Sequence, residues 1–528
     1  MSLKQVTGNS EVDERLAALL TNSNAVRAIT AAVEGTIGPK GLDTMLVDRF
    51  GEVVITNDGV TILDKMDANH PAAKLMINIA KAQQEEVGDG TTTATILAGS
   101  LVAEGVNQVI KGVPVVRIIE GMKQGLRQAK KILEQSARPI TDLDDPLLYQ
   151  VALIAGREHE DIADLVISAA KLIGKEKIID KNFKLADTVV AEVGAENEVF
   201  MGLIINRERM NSQMPAVIKQ AKIVVIDDAL EPEELSEEAL ATEAGFNRFR
   251  ELREEFRYNI YKLTELGVNL VLVDRRVDDM AEEILTEAQA MVVQRVSNKD
   301  LKKIAEHTGA KPMKRTGLKR SKEELEKYLG FADLVYEDEK LEQIRIIGGK
   351  SKPMATILVG AATEEVVGER ERIAKDAASS VQAALKQGVV PGGGSIELGI
   401  MRQLKEFREM IKGMTAYGVD CVIEALKRPL AQIVINAGFN ALEKVEDVIA
   451  AQAESGKMSL GINCDSGEVA DMYELGVVDP VLVKNHALKA AGEIAEAILR
   501  IDTIIKKREE KEGQEKSVLS EGQDLSEF

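Results

Sequence analysis

The run Gly88-Asp89-Gly90-Thr91-Thr92-Thr93, set between two helix-like stretches, constrains its surroundings more than any other part of the chain. Glycines let the backbone come close to a ligand, and the apolar-rich Thr93 to Ile110 reads as a helix whose first N–H groups have no partner inside it. Such an end attracts anions. A bare carboxylate repels phosphate, so Asp89 makes sense there as a ligand to a hard bridging cation, as magnesium is. The run therefore suits a magnesium-bound polyphosphate, with ordinary capping by Asp and Thr as the competing account.

Two further runs favour the first account. Thr36-Ile37-Gly38-Pro39-Lys40-Gly41 is a tight turn after the helix-like Val26 to Glu34, and Thr56-Asn57-Asp58-Gly59 ends the strand-like Glu52 to Ile55. Three turns in close succession, two of them carrying an acid, read as one site.

At 528 residues the chain is too long for one compact core, so about two to four domains are expected. Its 87 acidic against 67 basic residues give a net charge of -20, which argues against nucleic acid or an anionic membrane as partner. Trp is absent and aromatics are 3%, which removes the stacking platforms of single-strand binders. Cys421 and Cys464 have no framework spacing, Met1 to Asp13 lacks the apolar centre of a signal peptide, and no apolar run is long enough to span a bilayer. A soluble protein of a reducing cytoplasm is expected.

Ile118, Met122, Leu126, Ala129 and Leu133 recur at helical spacing, predicting a long helix over Pro114 to Gln135 that ends before Pro139. The acidic turn Asp142 to Pro146 suits a domain junction, followed by a helix-like block, Leu147 to Gly174, and a strand-like Thr188 to Val193. From Met214-Pro215 onward, strand-like Ile223 to Ile226, Val268 to Val273 and Met291 to Val296 alternate with helical stretches, which reads as an α/β module. Within the charged insert Glu231 to Leu266, Phe249, Leu252, Phe256, Ile260 and Leu263 define an amphipathic helix. Pattern alone makes it a crossover helix. Helices are expected over Glu364 to Lys386, Ser395 to Met410, Tyr417 to Asn436 and Asn485 to Lys507, and the polar Arg508 to Phe528 reads as a disordered tail.

Taken with His70-Pro71-Ala72-Ala73-Lys74 and Val390-Pro391-Gly392-Gly393-Gly394, the three turns are similar in order and spacing to the chaperonins. The chain most resembles the thermosome type of archaea and the eukaryotic cytosol, from roughly Asn24 to Ile505. This resemblance implies the multidomain chaperonin fold. A mainly α-helical equatorial domain would be built from both chain ends, 1–140 and 395–528. A small α/β intermediate domain would comprise 141–213 and 363–394, and an α/β apical domain 214–362 would carry a helical protrusion. The resemblance also makes 231–266 a built-in lid whose exposed apolar stripe packs against neighbouring subunits when closed.

ATP hydrolysis needs a cradle for phosphates, a metal, and a carboxylate to orient water. By resemblance, Thr36, Ile37, Gly38 and Pro39, with Asp89, Gly90, Thr91, Thr92 and Thr93, contact the phosphates of ATP or ADP, and Asp89 holds Mg2+. Asp58, beside Gly59, matches a carboxylate that positions the attacking water and metal shell. Asp376 matches the acid that activates or orients that water, although residue type alone would place it on a solvated helix face. Asp376 would sit on the intermediate domain and Asp89 on the equatorial one, so the site is complete only on domain closure. Gly393 matches the glycine approached by the nucleotide, Asp479 a ribose-binding acid, and Asn463, Cys464 and Asp465 the base contacts. Asp479-Pro480 by itself reads as a turn or helix start. Where archaeal relatives commonly carry Gly-Lys, a lysine held to sense the terminal phosphate, this chain has Gly156-Arg157. The larger planar fork is read as the mark of a divergent or bacterial branch.

The implied protein is an ATP-driven chaperonin that captures non-native polypeptides. It would assemble as two stacked rings of about eight subunits each, with no separate co-chaperonin lid. Its rivals are a chaperonin-like scaffold without ATPase activity and a small-molecule kinase, for which no acceptor motif is found. Gly348-Gly349-Lys350-Ser351 imitates a phosphate loop, but Ile344 stands where its leading glycine is needed. His70, His159, His307 and His486 are scattered, so zinc is not expected.

Overall fold

A computed structural model describes residues 4–7, 10–13, 15–47, 49–51, 53–236 and 242–507. The expected disordered tail, 508–528, lies outside the described residues, as do 237–241 of the expected lid. The chain forms two compact units, Met1–Arg138 with Val390–Phe528, and Pro139–Val389.

The first unit is a helical assembly. Thr91–Ile110 buries Ala94, Ile96, Leu97, Leu101 and Val102 because it is apolar around most of its circumference. Around it pack Arg15–Glu34, Pro71–Val87, Ala416–Asn436 and Val481–Leu499. Val115–Gln135 forms as its spacing predicts, with Ile118, Met122, Ala129 and Leu133 buried. Lys4–Thr7, Ser10–Asp13 and Ile504–Lys507 make a three-stranded antiparallel sheet that ties the two chain ends together. Thr44–Val47 and Val53–Thr56 form a two-stranded hairpin on which Met45, Val47, Val53 and Ile55 are exposed.

The second unit holds two sheets. In the smaller, Thr356–Ala361 lies between Val189–Val193 and Glu198–Phe200, and Glu364–Gln387 packs on it with Glu160–Ile173, while Pro146–Ala155 packs on Glu364–Gln387. The larger runs Met291–Val293, Leu270–Val273, Val217–Ile226, Gly330–Asp338, Gln343–Gly349, Gly202–Ile205. The first three strands are parallel and the rest antiparallel. Alternate residues of a strand face opposite sides, so Val224 and Ile226 enter one core cluster while Ile223 and Val225 enter another.

Several expectations need correction. The block Leu147 to Gly174 is two helices, Pro146–Ala155 and Glu160–Ile173, broken where Arg157 and Glu158 take φ of 52° and 63°. The last helix is Val481–Leu499, and Ile504–Lys507, expected to continue it, is a strand. The insert helix forms as Glu243–Glu265, but its apolar stripe is not exposed. Leu252, Phe256, Ile260 and Leu263 are buried, and the last three join the core cluster against Val224, Ile226 and Val271. Its C-terminal part is therefore the crossover helix that the pattern alone suggests, linking parallel strands Val217–Ile226 and Leu270–Val273. Phe246, Tyr258 and Tyr261 are its exposed large apolar side chains. Gly348-Gly349 ends a strand rather than opening a helix, so the false phosphate loop stays dismissed.

Candidate functional site

Gly88 closes helix Pro71–Val87 in the left-handed conformation, φ 73°, and Gly90 opens Thr91–Ile110 in the same conformation, φ 76°. No side chain caps that second helix, and the Asp89 carboxylate instead accepts the Gly90 N–H at 2.5 Å. Capping by Asp and Thr thus fails as an account of the run, and the first N–H groups of a twenty-residue helix have no side-chain cap. The Asn57-Asp58-Gly59 turn lies against this helix end. A Cβ on Gly59 would fall 2.6 Å from Thr92 Oγ1 and 3.2 Å from Thr91 Oγ1. Asn57 Oδ1 is buried and has no hydrogen-bond partner, an arrangement that costs free energy unless something fills it. Asp58 is buried, and its Oδ2 accepts from Thr61 N at 3.0 Å and Thr61 Oγ1 at 2.6 Å, capping Gly59–Lys65. Asp58 therefore has a structural task that its sequence context did not declare.

Gln83, fully buried, donates through Nε2 to the Asp89 carbonyl at 2.8 Å and the Val483 carbonyl at 3.2 Å. Its Oε1 faces His486 Nδ1 at 2.7 Å, so the histidine carries its proton on Nδ1, and burial lowers its pKa. The Asp89 turn is in this way tied to the start of helix Val481–Leu499. Just before that helix stands Asp479, whose Oδ2 is 2.8 Å from Lys484 Nζ. The same ammonium donates to Glu397 Oε1 at 2.7 Å. Burial alone would lower the Lys484 pKa, but Asp479 and Glu397 outweigh it and raise the pKa, so the ammonium stays charged. Gly392 sits close by, where a Cβ would come within 3.1 Å of Asp479 Oδ2. Gly393 and Gly394 follow with φ of 61° and 79°, and Ser395–Met410, opened by Gly394, also lacks a side-chain cap.

The turn after Arg15–Glu34 is closed by Leu42 N–H donating to Gly35 O at 3.0 Å, while the Thr36 hydroxyl donates to Val33 O at 2.9 Å. Gly38 takes φ 87°, and Asn436 Nδ2 donates to Glu34 O at 2.8 Å and Ile37 O at 2.9 Å, fixing Ile37 and the approach to Pro39. Asn463, Cys464 and Asp465 lie in the loop between strands Leu460–Ile462 and Val469–Asp471. Lys40 reaches Asp465 at 2.6 Å, and because both are well exposed this pair contributes little stability. Burial pushes the Cys464 thiol up, which disfavours a nucleophile there.

These contacts join Gly59 with Thr91 and Thr92, Asp89 and Gly90 with Val483, Asp479 with Gly392, and Lys40 with Asp465, all within the first unit. Asp376 and Arg157 belong to the second unit. Asp376 is 8% exposed on helix Glu364–Gln387, so it is not on a solvated face. Arg157 pairs with Glu369, which also takes Arg372 at 2.6 Å. Among the described residues no group of three His, Cys, Asp or Glu could hold a metal. A lone Asp89 still fits magnesium, which keeps several waters and uses one or two carboxylates plus phosphate oxygens. The unpartnered Asn57 oxygen in the adjoining turn suits a hydrated cation as well. Gln83, Glu397, Asn436 and Lys484 escaped the sequence reading. The one available signal was an interior polar residue on an apolar helix face.

Residues 29–509 match the model of the TCP-1/cpn60 chaperonin family. The thermosome subunit of Pyrococcus abyssi is 37% identical over 516 residues, covering 93% of this chain and 92% of that protein. The thermosome subunit alpha of Thermoplasma acidophilum is 34% identical over 503 residues, covering 92% and 90%. A group III chaperonin crystallised in the open state superposes with a TM-score of 0.87 at 47% identity, covering 93% of this chain and 99% of that one. The chain belongs to the TCP-1/cpn60 chaperonin family. Its likeness within that family runs to the group II, thermosome type, and it has the multidomain chaperonin fold.

Proposed function

We propose that the protein is a magnesium-dependent ATPase whose turnover drives enclosure of non-native polypeptides inside a double ring closed by its own protrusion. The observation that carries this reading is the helix start at Gly90-Thr91, uncapped by any side chain and flanked by the Asn57-Asp58-Gly59 turn. In it the backbone N–H groups of Thr91, Thr92 and Thr93 take the phosphates, and the turn Thr36, Ile37, Gly38, Pro39 closes the other side. Asp89 would hold magnesium, which supplies neutralisation of the phosphate charge. Asp58 orients the attacking water and the metal shell. Asp376, buried on helix Glu364–Gln387, is the acid that activates or orients that water. Asp479 takes the ribose, with Gly393 beneath the nucleotide and the loop of Asn463, Cys464 and Asp465 beside the base. Arg157 reads the terminal phosphate.

Self-association is supported by the hairpin Thr44–Val47 with Val53–Thr56. It is two-stranded among the described residues, and Met45, Val47, Phe50, Val53 and Ile55 on it are exposed. An apolar sheet with unpaired edges needs a partner, and another copy is the economical one. Rings of about eight copies, stacked in pairs, extend this reading. Equatorial residues 1–140 and 395–528, intermediate 141–213 and 363–394, and apical 214–362 make up the subunit. Phe246, Tyr258 and Tyr261 supply apolar surface on the protrusion. A cytoplasmic setting suits the two free cysteines, and the 47% identity to a group III chaperonin supports a branch apart from the archaeal thermosomes.

Phosphate release with and without an unfolded protein, measured beside native mass, tests the whole. A ring-sized particle that releases phosphate is expected. Rings without release would leave the scaffold, and a small monomer with an acceptor-dependent rate would leave the kinase.

A further inference from the structure

Lys484 has a task that packing alone does not explain. Its ammonium is buried between two carboxylates of different character. Glu397 is 4% exposed, with Oε1 taken by the lysine at 2.7 Å, while its Oε2 is buried and has no partner. Asp479 is 27% exposed, and its Oδ2 is held at 2.8 Å. One buried cation therefore serves one interior acid and one acid that reaches the open side.

We infer that Lys484, seated on Glu397, is the positioning residue that fixes Asp479 as the acceptor for the ribose hydroxyls of the nucleotide. The inference rests on the reading of Asp479 as the ribose contact. Three features carry it. A carboxylate with one oxygen clamped by an ammonium has lost its rotational freedom, and Oδ1 remains as the oxygen that can accept from a sugar hydroxyl. Lys484 also offsets the charge of Asp479, which must approach a ligand bearing a polyanion, and without that offset the two would repel. Gly392 leaves room for this arrangement, since a Cβ at that position would lie 3.1 Å from the same Oδ2 and crowd the clamped carboxylate.

Glu397 explains why the lysine stays in place. A single ion pair with a partly exposed acid would leave a buried ammonium with two unused donors, whereas the second carboxylate fixes it on the interior side. The clamp spans helix Ser395–Met410 and helix Val481–Leu499, so it also ties the glycine turn at 392–394 to the ribose acid.

Truncating a buried lysine alone strands Glu397, so the informative variant is the double one, Lys484→Met with Glu397→Gln, made in the full-length assembly. Its KM and kcat are measured with ATP, 2′-deoxy-ATP and 3′-deoxy-ATP, next to wild type, Lys484→Arg and Asp479→Asn. Wild type is expected to prefer ATP over at least one deoxy analogue by about tenfold or more. The double variant should lose most of that preference through a rise in KM for ATP, with kcat changed less than about threefold, while its KM for the deoxy analogue barely moves. Lys484→Arg should restore the preference. A structural defect would raise all KM values together and would not be sugar-selective. A double variant of native mass that keeps the wild-type ratio, while Asp479→Asn loses it, overturns the positioning role alone. An Asp479→Asn variant that keeps the ratio overturns the ribose reading and the inference with it.

Discussion

Replacing Gly90 by alanine tests the phosphate cradle through two separable costs. Gly90 stands at φ 76° and ψ 19°, where a Cβ raises the energy by about 1–2 kcal/mol. The added carbon would also fall 2.6 Å from Val483 Cγ1, well inside contact distance, and overpacking of that kind costs about 1–3 kcal/mol. Gly456 supplies the control. It closes helix Ala441–Ser455 at φ 72° and ψ 0°, and a Cβ there meets nothing within 4 Å. Gly456→Ala should therefore show the backbone cost alone, and Gly90→Ala about 2–5 kcal/mol in all. Because a two-unit chain need not unfold in one step, native-state hydrogen exchange is the suitable assay. Amides in the first turns of Thr91–Ile110 should exchange faster in Gly90→Ala, by about 5- to 150-fold more than the equivalent change at Gly456. ADP affinity should fall at least about tenfold in Gly90→Ala and stay unchanged in Gly456→Ala. Equal effects of the two substitutions on exchange and on ADP binding would refute the reasoning.

Other outcomes follow from the same structure. Asp376→Ala should keep nucleotide affinity while slowing phosphate release by about a hundredfold or more, and unchanged turnover removes Asp376 from the mechanism. Phe256→Ala should cost the second unit about 3–5 kcal/mol in denaturant titrations followed by exchange, whereas Phe246→Ser should leave stability within about 0.5 kcal/mol and weaken capture of an unfolded client. His307 is buried, its Nδ1–H donates to Lys352 O at 3.1 Å, and its Nε2 accepts from Gly349 N–H at 3.0 Å. Burial lowers its pKa below the ordinary 6.5, so the unfolded chain takes the proton first. Stability is then full above about pH 6.5 and falls as pH drops below it, by up to ~1.4 kcal/mol per pH unit. His307→Gln should flatten that slope in a pH series of exchange measurements.

What the sequence revealed was mostly local. Gly88-Asp89-Gly90 declares a helix break because glycine is the residue that enters left-handed space cheaply, and Ser395–Met410 is legible because three glycines precede it. The break at Arg157-Glu158 is illegible for the complementary reason: both residues take positive φ without being Gly, Asn or Asp. Ile501, Ile504 and Ile505 continue the apolar texture of the last helix, yet Ile504–Lys507 pairs with Ser10–Asp13, and no window of sequence contains both. Strands Gly330–Asp338 and Gln343–Gly349 carry Asp338 and Arg345, which disguise the alternation. The Arg345 guanidinium is buried only because Glu198 at 2.7 Å and Asp338 at 3.1 Å receive it. The site splits the same way. Its glycine turns could be read directly, but Gln83 and Lys484 act through partners hundreds of residues away in the chain or on other elements.

The helix Glu243–Glu265 is anchored along its last fourteen residues, where Leu252, Phe256, Ile260 and Leu263 are buried, while none of its first nine, Glu243 to Glu251, is buried. With no proline to bend it, the anchored and free lengths are one rod, and the free part measures about 13 Å. A tilt of about 10° in the sheet beneath would carry the far end roughly 2 Å, with no joint in between to absorb it. The burial of Phe256 and Ile260 is thus a fulcrum: whatever turns the strands of this unit also aims Phe246.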